Sequence, residues 1–338
     1  MRFIVILPAI ALSVPAWGHH SDAGLDMENV TSVEGTVTGY YFRNPHVYFT
    51  VAVPGETGEP VVWSMQMGSA ITMTRRGWSR DSLAVGDQVA VEVHASIDGR
   101  PYGLVENVEK EGGAVSNAPM YQPAETASTD SLEGLWMANS SELVAYPGGF
   151  DGFFTANLEL TEAGRQARDA YDQFSGENPE ASCVGRPTPA MLVSTNLYPI
   201  WIEFAEDEEM IYIRSQFWDE ERVVYMDGRA HPPASERTVS GHSTGTWEGD
   251  TLVVETTNFA DHRSPYQIGV PSGAQKRVVE RYRLLDGGER ISMEFALEDP
   301  EFIAAPLTHS RELIYSPHLG WSEFDCDPEA SERFLLTR

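Results

Sequence analysis

From about residue 31 onward the chain reads as short strands. In "HVYFTVAV", Val47, Phe49, Val51 and Val53 alternate with Tyr48, Thr50 and Ala52. That leaves one evenly apolar face and predicts a half-buried strand. "SVEGTVTGYYF", "VVWSMQM" and "DQVAVEVHASI" are equally rich in β-branched and aromatic residues, and "PGETGEP" and "VGD" supply turns between strands. With "SAITMTRRGW" as the one helical turn, residues 19–112 predict a small β-barrel of the OB or SH3-like kind. Residues 113–131 hold Pro, Ser, Thr and Ala without a sustained period and read as a linker.

A second domain, residues 132–338, opens at "LEGLWMA". One helix is predicted in "LTEAGRQARDAYDQF", where Thr161 can cap the start and Ala163, Ala167, Ala170, Tyr171 and Phe174 recur at helical spacing. "YPIWIEFAEDEEMIYIRSQF" reads as two strands around an acidic turn, and "GHSTGTWEGDTLVVETTNF", "KRVVERYRLL" and "ERISMEFAL" continue the pattern. The fold class is therefore mostly β: the small barrel, then a larger antiparallel β-barrel (lipocalin-like) or a sandwich with one or two helices. Such a barrel is a ready container for one small ligand, so small-molecule binding in the C-terminal domain is the default expectation. Trp136, Trp201, Trp218 and Trp247 are candidate walls, although most tryptophans in such folds are core.

Composition narrows the partners. A formal net charge of -28 repels phosphate backbones and anionic membranes, which argues against nucleic acid. Met1-Arg2 followed by "FIVILPAIALSV", interrupted by Pro8, has the anatomy of a secretory signal peptide over residues 1–18. The run is too short to span a bilayer, so no stable membrane insertion is expected once it is removed. Cleavage after Ala16-Trp17-Gly18 releases His19; cleavage after Ala16 releases Trp17. Cys183 and Cys326 are the only cysteines, and in an exported chain they read as a disulfide. The expected location is periplasmic or secreted.

Several motifs carry candidate chemistry. "GHSTG", residues 241–245, fits the serine-hydrolase pattern with Ser243 as nucleophile, and Asp299 and His309 follow in the usual order. Yet "TWEGDTLVVETT" after it is a poor helix and a good hairpin, and the nucleophile elbow needs a helix. With Glu248-Gly249 as the central turn residues, His242 faces Glu255 across the hairpin, an acid/base pair of the kind an isomerase, lyase or hydrolase uses. An exposed cross-strand ion pair is the plainer reading. In "YMDGRAHPP", Asp227 marks a turn, Arg229 offers an anion clamp and His231 precedes two prolines; all three are candidate ligand-binding residues. Glu298 and Asp299 in "ALEDPEF" read as a capped strand end. A chain beginning at His19 offers its α-amino group and imidazole to copper(II), with His20 or His46 as a further ligand.

"HHS" after the leader, then "GTVTGYYFRNPHVYFTV", Trp63, "RRGW" and "LAVGDQVAV", resemble a family of exported bacterial proteins known only as a domain of unknown function. That resemblance spans about residues 19–108 and favours the cut before His19. The second half, with "DGRAHP", "GHSTGTWEGDTLVVETTNF" and "LEDPEF", is similar to another group of uncharacterised exported bacterial proteins. Neither resemblance implies an activity; together they imply a bacterial, exported, two-domain protein.

Overall fold

The computed structural model describes residues 25–336, apart from 56–57, 111–112, 116–126, 145, 147–148, 174, 206, 208 and 286. The leader, His19 and His20 therefore lie outside the described residues. The first domain is built from β1 (Thr31–Tyr41), β2 (Tyr48–Val53), β3 (Val61–Gln66), α1 (Ala70–Arg75), β4 (Gln88–Ala95) and β5 (Tyr102–Lys110). Among the described residues these five strands close in the order β1-β2-β3-β5-β4, antiparallel except for β3 with β5. A Greek-key ring of five with its helix between the third and fourth strands is the OB form of the two barrels the sequence allowed. Ser69 caps α1 by accepting from the Thr72 amide.

Val47, Phe49 and Val51 are fully buried, as the alternation in β2 demands. Tyr48 on the opposite face is buried too: its hydroxyl donates to Gln66 at 2.8 Å and its ring packs with Leu25 and Tyr102. The strand is thus covered on both faces there. A two-residue strand, β6 (Gly113–Ala114), pairs with β5, so ordered barrel continues past the linker boundary read from composition.

The second domain comprises β7 (Gly134–Met137), β8 (Ile200–Ala205), β9 (Met210–Ser215), β10 (Glu220–Tyr225), β11 (His242–Glu248), β12 (Thr251–Thr257), β13 (Arg277–Leu284), β14 (Arg290–Glu298) and β15 (Leu307–Tyr315). Among the described residues these nine strands form a closed barrel, not a sandwich. It is mixed rather than wholly antiparallel, because β10 and β11 run parallel. Parallel neighbours need a crossover of about a dozen residues or more. Residues 226–241, which include Asp227, Arg229 and His231, are that crossover.

The barrel is packed where a lipocalin-like container would be open. Phe153 and Phe154 of α2 (Gly149–Asn157) and Met191 and Leu192 of α4 (Ala190–Val193) join inward-facing Trp136, Ile200, Ile213, Leu252, Val254 and Tyr282 in one core. Thr161 caps α3 (Glu162–Asp169) through the Gly164 amide, but the helix stops before Tyr171. Its buried contact is Gly164, where a Cβ would stand 2.3 Å from the Phe302 carbonyl oxygen; Ala163 is exposed. Close backbone approach, and not an alanine stripe, seats this helix.

The Cys183–Cys326 disulfide forms and lies against a cluster of Tyr198, Phe217, Trp218 and Phe324, into which Ile71 of the first barrel also packs. Across the same boundary the Tyr198 hydroxyl meets Ser69 at 2.9 Å, Arg75 donates to the Leu197 carbonyl, and Asn44 pairs with Cys326 in a parallel bridge. The C-terminal segment, ending in α5 (Pro328–Leu336), thereby ties the two barrels together. No helix among the described residues is long and apolar enough to cross a membrane.

Candidate functional site

Strand β15, "LTHSRELIY", turns Leu307, His309, Arg311 and Leu313 toward the inside, opposite Leu297, Phe295, Met293 and Ile291 of β14. Two polar side chains therefore interrupt an apolar row. They open onto a cleft of about 530 Å³ that is also lined by Asn139, Leu143, Tyr146, Phe153, Val193 and Asn196. The size and the mixture of apolar wall with a few convergent polar groups suit a small ligand. His309 packs edge-on against Phe153, with ring centroids 4.7 Å apart. A shallow outer groove of about 570 Å³ meets the cleft at His309 and Ser310.

The Arg311 guanidinium donates to the Val193 carbonyl at 2.9 Å, to Thr195 Oγ1 at 3.1 Å and to His309 Nε2 at 3.1–3.2 Å. Because His309 accepts through Nε2, its ring proton sits on Nδ1. Burial, then the Arg311 charge, push the His309 pKa down to about 4; burial lowers Arg311 to about 10. Among the described residues no carboxylate lies within ion-pair distance of Arg311. The acids at the rim, Glu142 and Glu312, are engaged by Arg290 at 2.8 and 3.1 Å. A half-buried cation with no anion beside it among the described residues is the chemically distinctive feature of this cleft.

The sequence-derived acid/base pair is not formed. Gly249, at φ 65°, is the first central residue of the hairpin turn, not the second. The register accordingly places His242 opposite Thr257 and Glu255 opposite Thr244. Glu255 pairs instead with Arg277 at 2.6 Å. Both side chains lie on the outer face, since Ser243, Leu252, Val254 and Thr256 are the buried ones. The hydroxyls of Ser243 and Thr256 are 2.8 Å apart inside the barrel, and Ser243 lies within a strand that leads into a hairpin and not into a helix, which removes the nucleophile-elbow reading.

The crossover residues do converge, on the outer wall. Asp227 binds Arg229 in a fork at 2.5–2.9 Å, and Arg229 lies 3.9 Å from the Tyr225 ring centroid. His231 reaches His242, Nδ1 to Nδ1, at 2.9 Å. His46 Nδ1 is 3.2 Å from the Met67 carbonyl oxygen, far along the chain from this pair. Glu298 stands 3.7 Å from Arg277, and Asp299 Oδ2 accepts from the Gly273 amide at 2.7 Å. Trp136 is core, Trp218 belongs to the boundary cluster, and Trp247 is exposed. Among the described residues no group of three or more His, Cys, Asp or Glu is placed to hold a metal ion.

Two buried polar sets went unread in the sequence. Inside the barrel Arg222 pairs with Glu280 at 2.7 Å, and Glu280 also accepts from Tyr282, at 2.7 Å, and from Thr188. At one end Lys276 is buried 4.2 Å from the Phe259 ring centroid and 5.0 Å from that of Tyr266; burial pushes its pKa down to about 7. His262, buried nearby with Nε2 donating to the Gly185 carbonyl at 3.0 Å, is pushed down to about 3, by burial first and Lys276 second.

Fold and site together define a two-barrel protein with an arginine-bearing cleft in the larger barrel. Residues 8–106 match the model of a family of unknown function, DUF6152, so the first barrel is a domain of that family. No curated protein and no solved structure matches the chain.

Proposed function

We propose that the second barrel binds a small amphipathic anion in the cleft beneath β15, its carboxylate or similar group on Arg311 and its apolar body against Phe153, Tyr146 and Leu143. The carrying observation is the Arg311 guanidinium, half-buried and without an acidic partner among the described residues. Burying such a cation is costly unless a counter-charge arrives, so the cleft favours an anionic ligand. Val193 and Thr195 fix the guanidinium in place, which limits the ordering cost on binding. The disulfide supports an oxidising compartment and so an exported protein.

The test is a thermal-shift and calorimetric screen of aromatic and medium-chain carboxylates against their amides and alcohols. Carboxylates should stabilise the protein in a concentration-dependent way and their neutral analogues should not. Arg311→Met should weaken binding roughly 10- to 100-fold, as loss of a charged hydrogen bond implies. Equal affinity for acid and amide, or for wild type and Arg311→Met, would remove this reading.

A further inference from the structure

The crossover that makes β10 and β11 parallel returns His231 onto the wall beside His242. Their Nδ1 atoms are 2.9 Å apart, with ring planes at 76°. Each histidine is held from behind. The His242 ring stacks on Tyr225, with centroids 5.1 Å apart and planes 22° apart. His231 is followed by Pro232-Pro233, and the Asn258 amide donates to the carbonyls of Pro232, Pro233 and Glu236 at 3.0–3.1 Å. Asn258 directly follows Thr257, the residue opposite His242, so one short stretch of chain ties down the backbone next to both histidines.

As neutral groups the two imidazoles share a single proton between their Nδ1 atoms. A metal ion can join the same two atoms from a position beside the line between them. With metal–nitrogen bonds of about 2.0–2.1 Å, adjacent ligand nitrogens on one ion stand about 2.9–3.4 Å apart, which the observed spacing meets at its short end. We propose that His231 and His242 form a two-histidine site for a borderline divalent transition metal, copper(II) before the others, with solvent completing its coordination. The donor imidazole moves its proton from Nδ1 to Nε2 as the ion binds, so no proton need be lost. For His231 that Nε2–H faces Thr244 Oγ1 at 3.5 Å, the outer hydrogen bond that ligating histidines use. Arg229, which lies on the Tyr225 ring that stacks on His242, is matched by Asp227, and the chain's net charge of -28 favours cation approach. Imidazole donors suit copper, zinc and nickel, and copper(II) heads their affinity order.

The test uses the full chain with His19→Ala and His20→Ala, so that the N-terminus contributes no histidine. Titration with copper(II) should give one equivalent bound, and pulsed electron paramagnetic resonance should count two equatorial imidazole nitrogens. His231→Gln and His242→Gln should each weaken binding at least about a hundred-fold while circular dichroism of the metal-free proteins stays unchanged. Absence of binding at micromolar copper, a spectrum without imidazole coupling, or undiminished affinity in His242→Gln would each overturn the site. The spectroscopic count needs neither glutamine variant, so a folding failure in one of them leaves the decision intact.

Discussion

At the scale of single residues, the interior of the larger barrel turns on Glu280. Its carboxylate is fully buried and receives Arg222, Tyr282 and Thr188. Removing one partner of such a pair strands the other charge, so Glu280→Gln should destabilise the domain by about 3–5 kcal/mol in urea unfolding. Replacing both partners, Arg222→Met with Glu280→Leu, should recover most of that loss; a single variant as stable as wild type would show that the pair is not coupled. The same residues explain what stayed hidden in the sequence. In "TLVVETT" Leu252, Val253 and Val254 form an unbroken apolar run, so period-2 contrast cannot say which face is buried. The inner row continues as Thr256, Ser243, Arg222 and Glu280, which a hydrophobicity pattern assigns to solvent. His242 and Glu255 were correctly placed on one face, but on the outer one and two residues out of register.

Among elements, the strands with aromatic or β-branched alternation were legible: β1 to β4, β8, β9 and β11 to β14 all fall where the pattern put them. Strand β5 was missed because Gly103 and Asn107 dilute its signal, β10 because "EERVVY" opens on two acids, and β15 because its inward row includes His309 and Arg311. That last omission also concealed the cleft; the regular spacing of Leu307, His309, Arg311 and Leu313 was the signal available. The disulfide was readable from cysteine count alone, but its role was not. Cys326 lies on the segment whose Phe324, Cys326 and Asp327 engage Asn44 and Arg43 of the first barrel. The bond closes a loop with a sequence separation of 143, worth about 5 kcal/mol in the chain-entropy account. Cys183→Ser with Cys326→Ser should therefore lower unfolding free energy by up to that amount. Limited proteolysis should cut first within residues 316–336, because the cross-link is the one covalent tie among the contacts that hold that segment between the barrels. Cleavage elsewhere first, with this segment still protected, would mean the aromatic cluster suffices without it.

For the molecule as a whole, pH-dependent stability follows from two buried bases, His262 and Lys276, and the half-buried His309. His262 and His309 have folded pKa values of about 3 and about 4 against an ordinary 6.5. Their contribution is complete above pH 6.5 and is lost as pH falls toward those values, since the unfolded chain then binds protons the folded one refuses. Lys276 extends the trend into the alkaline range. Its ordinary pKa is 10.5 and its folded value about 7, so between these limits the unfolded chain carries a proton that the folded chain lacks. Stability consequently climbs with pH across that window, by about 1.4 kcal/mol per unit from this group. Glu220 and Asp299, which face the same ammonium, are raised by burial and act with the opposite sign as pH rises from their ordinary values. Tyr48, Tyr266 and Tyr282 are held well above 10, so they withdraw stability only beyond pH 10. The optimum should thus lie on the alkaline side of the usual pH 5–8 range, with a higher melting temperature at pH 9.5 than at pH 7.5. Lys276→Met keeps the volume and removes the buried titratable amine, so it should fold at least as well at pH 7.5 and show no rise between the two pH values. A rise that persists in Lys276→Met would assign the alkaline trend to some other group, and a wild type equally stable at both pH values would mean that Lys276 keeps its proton in the folded state.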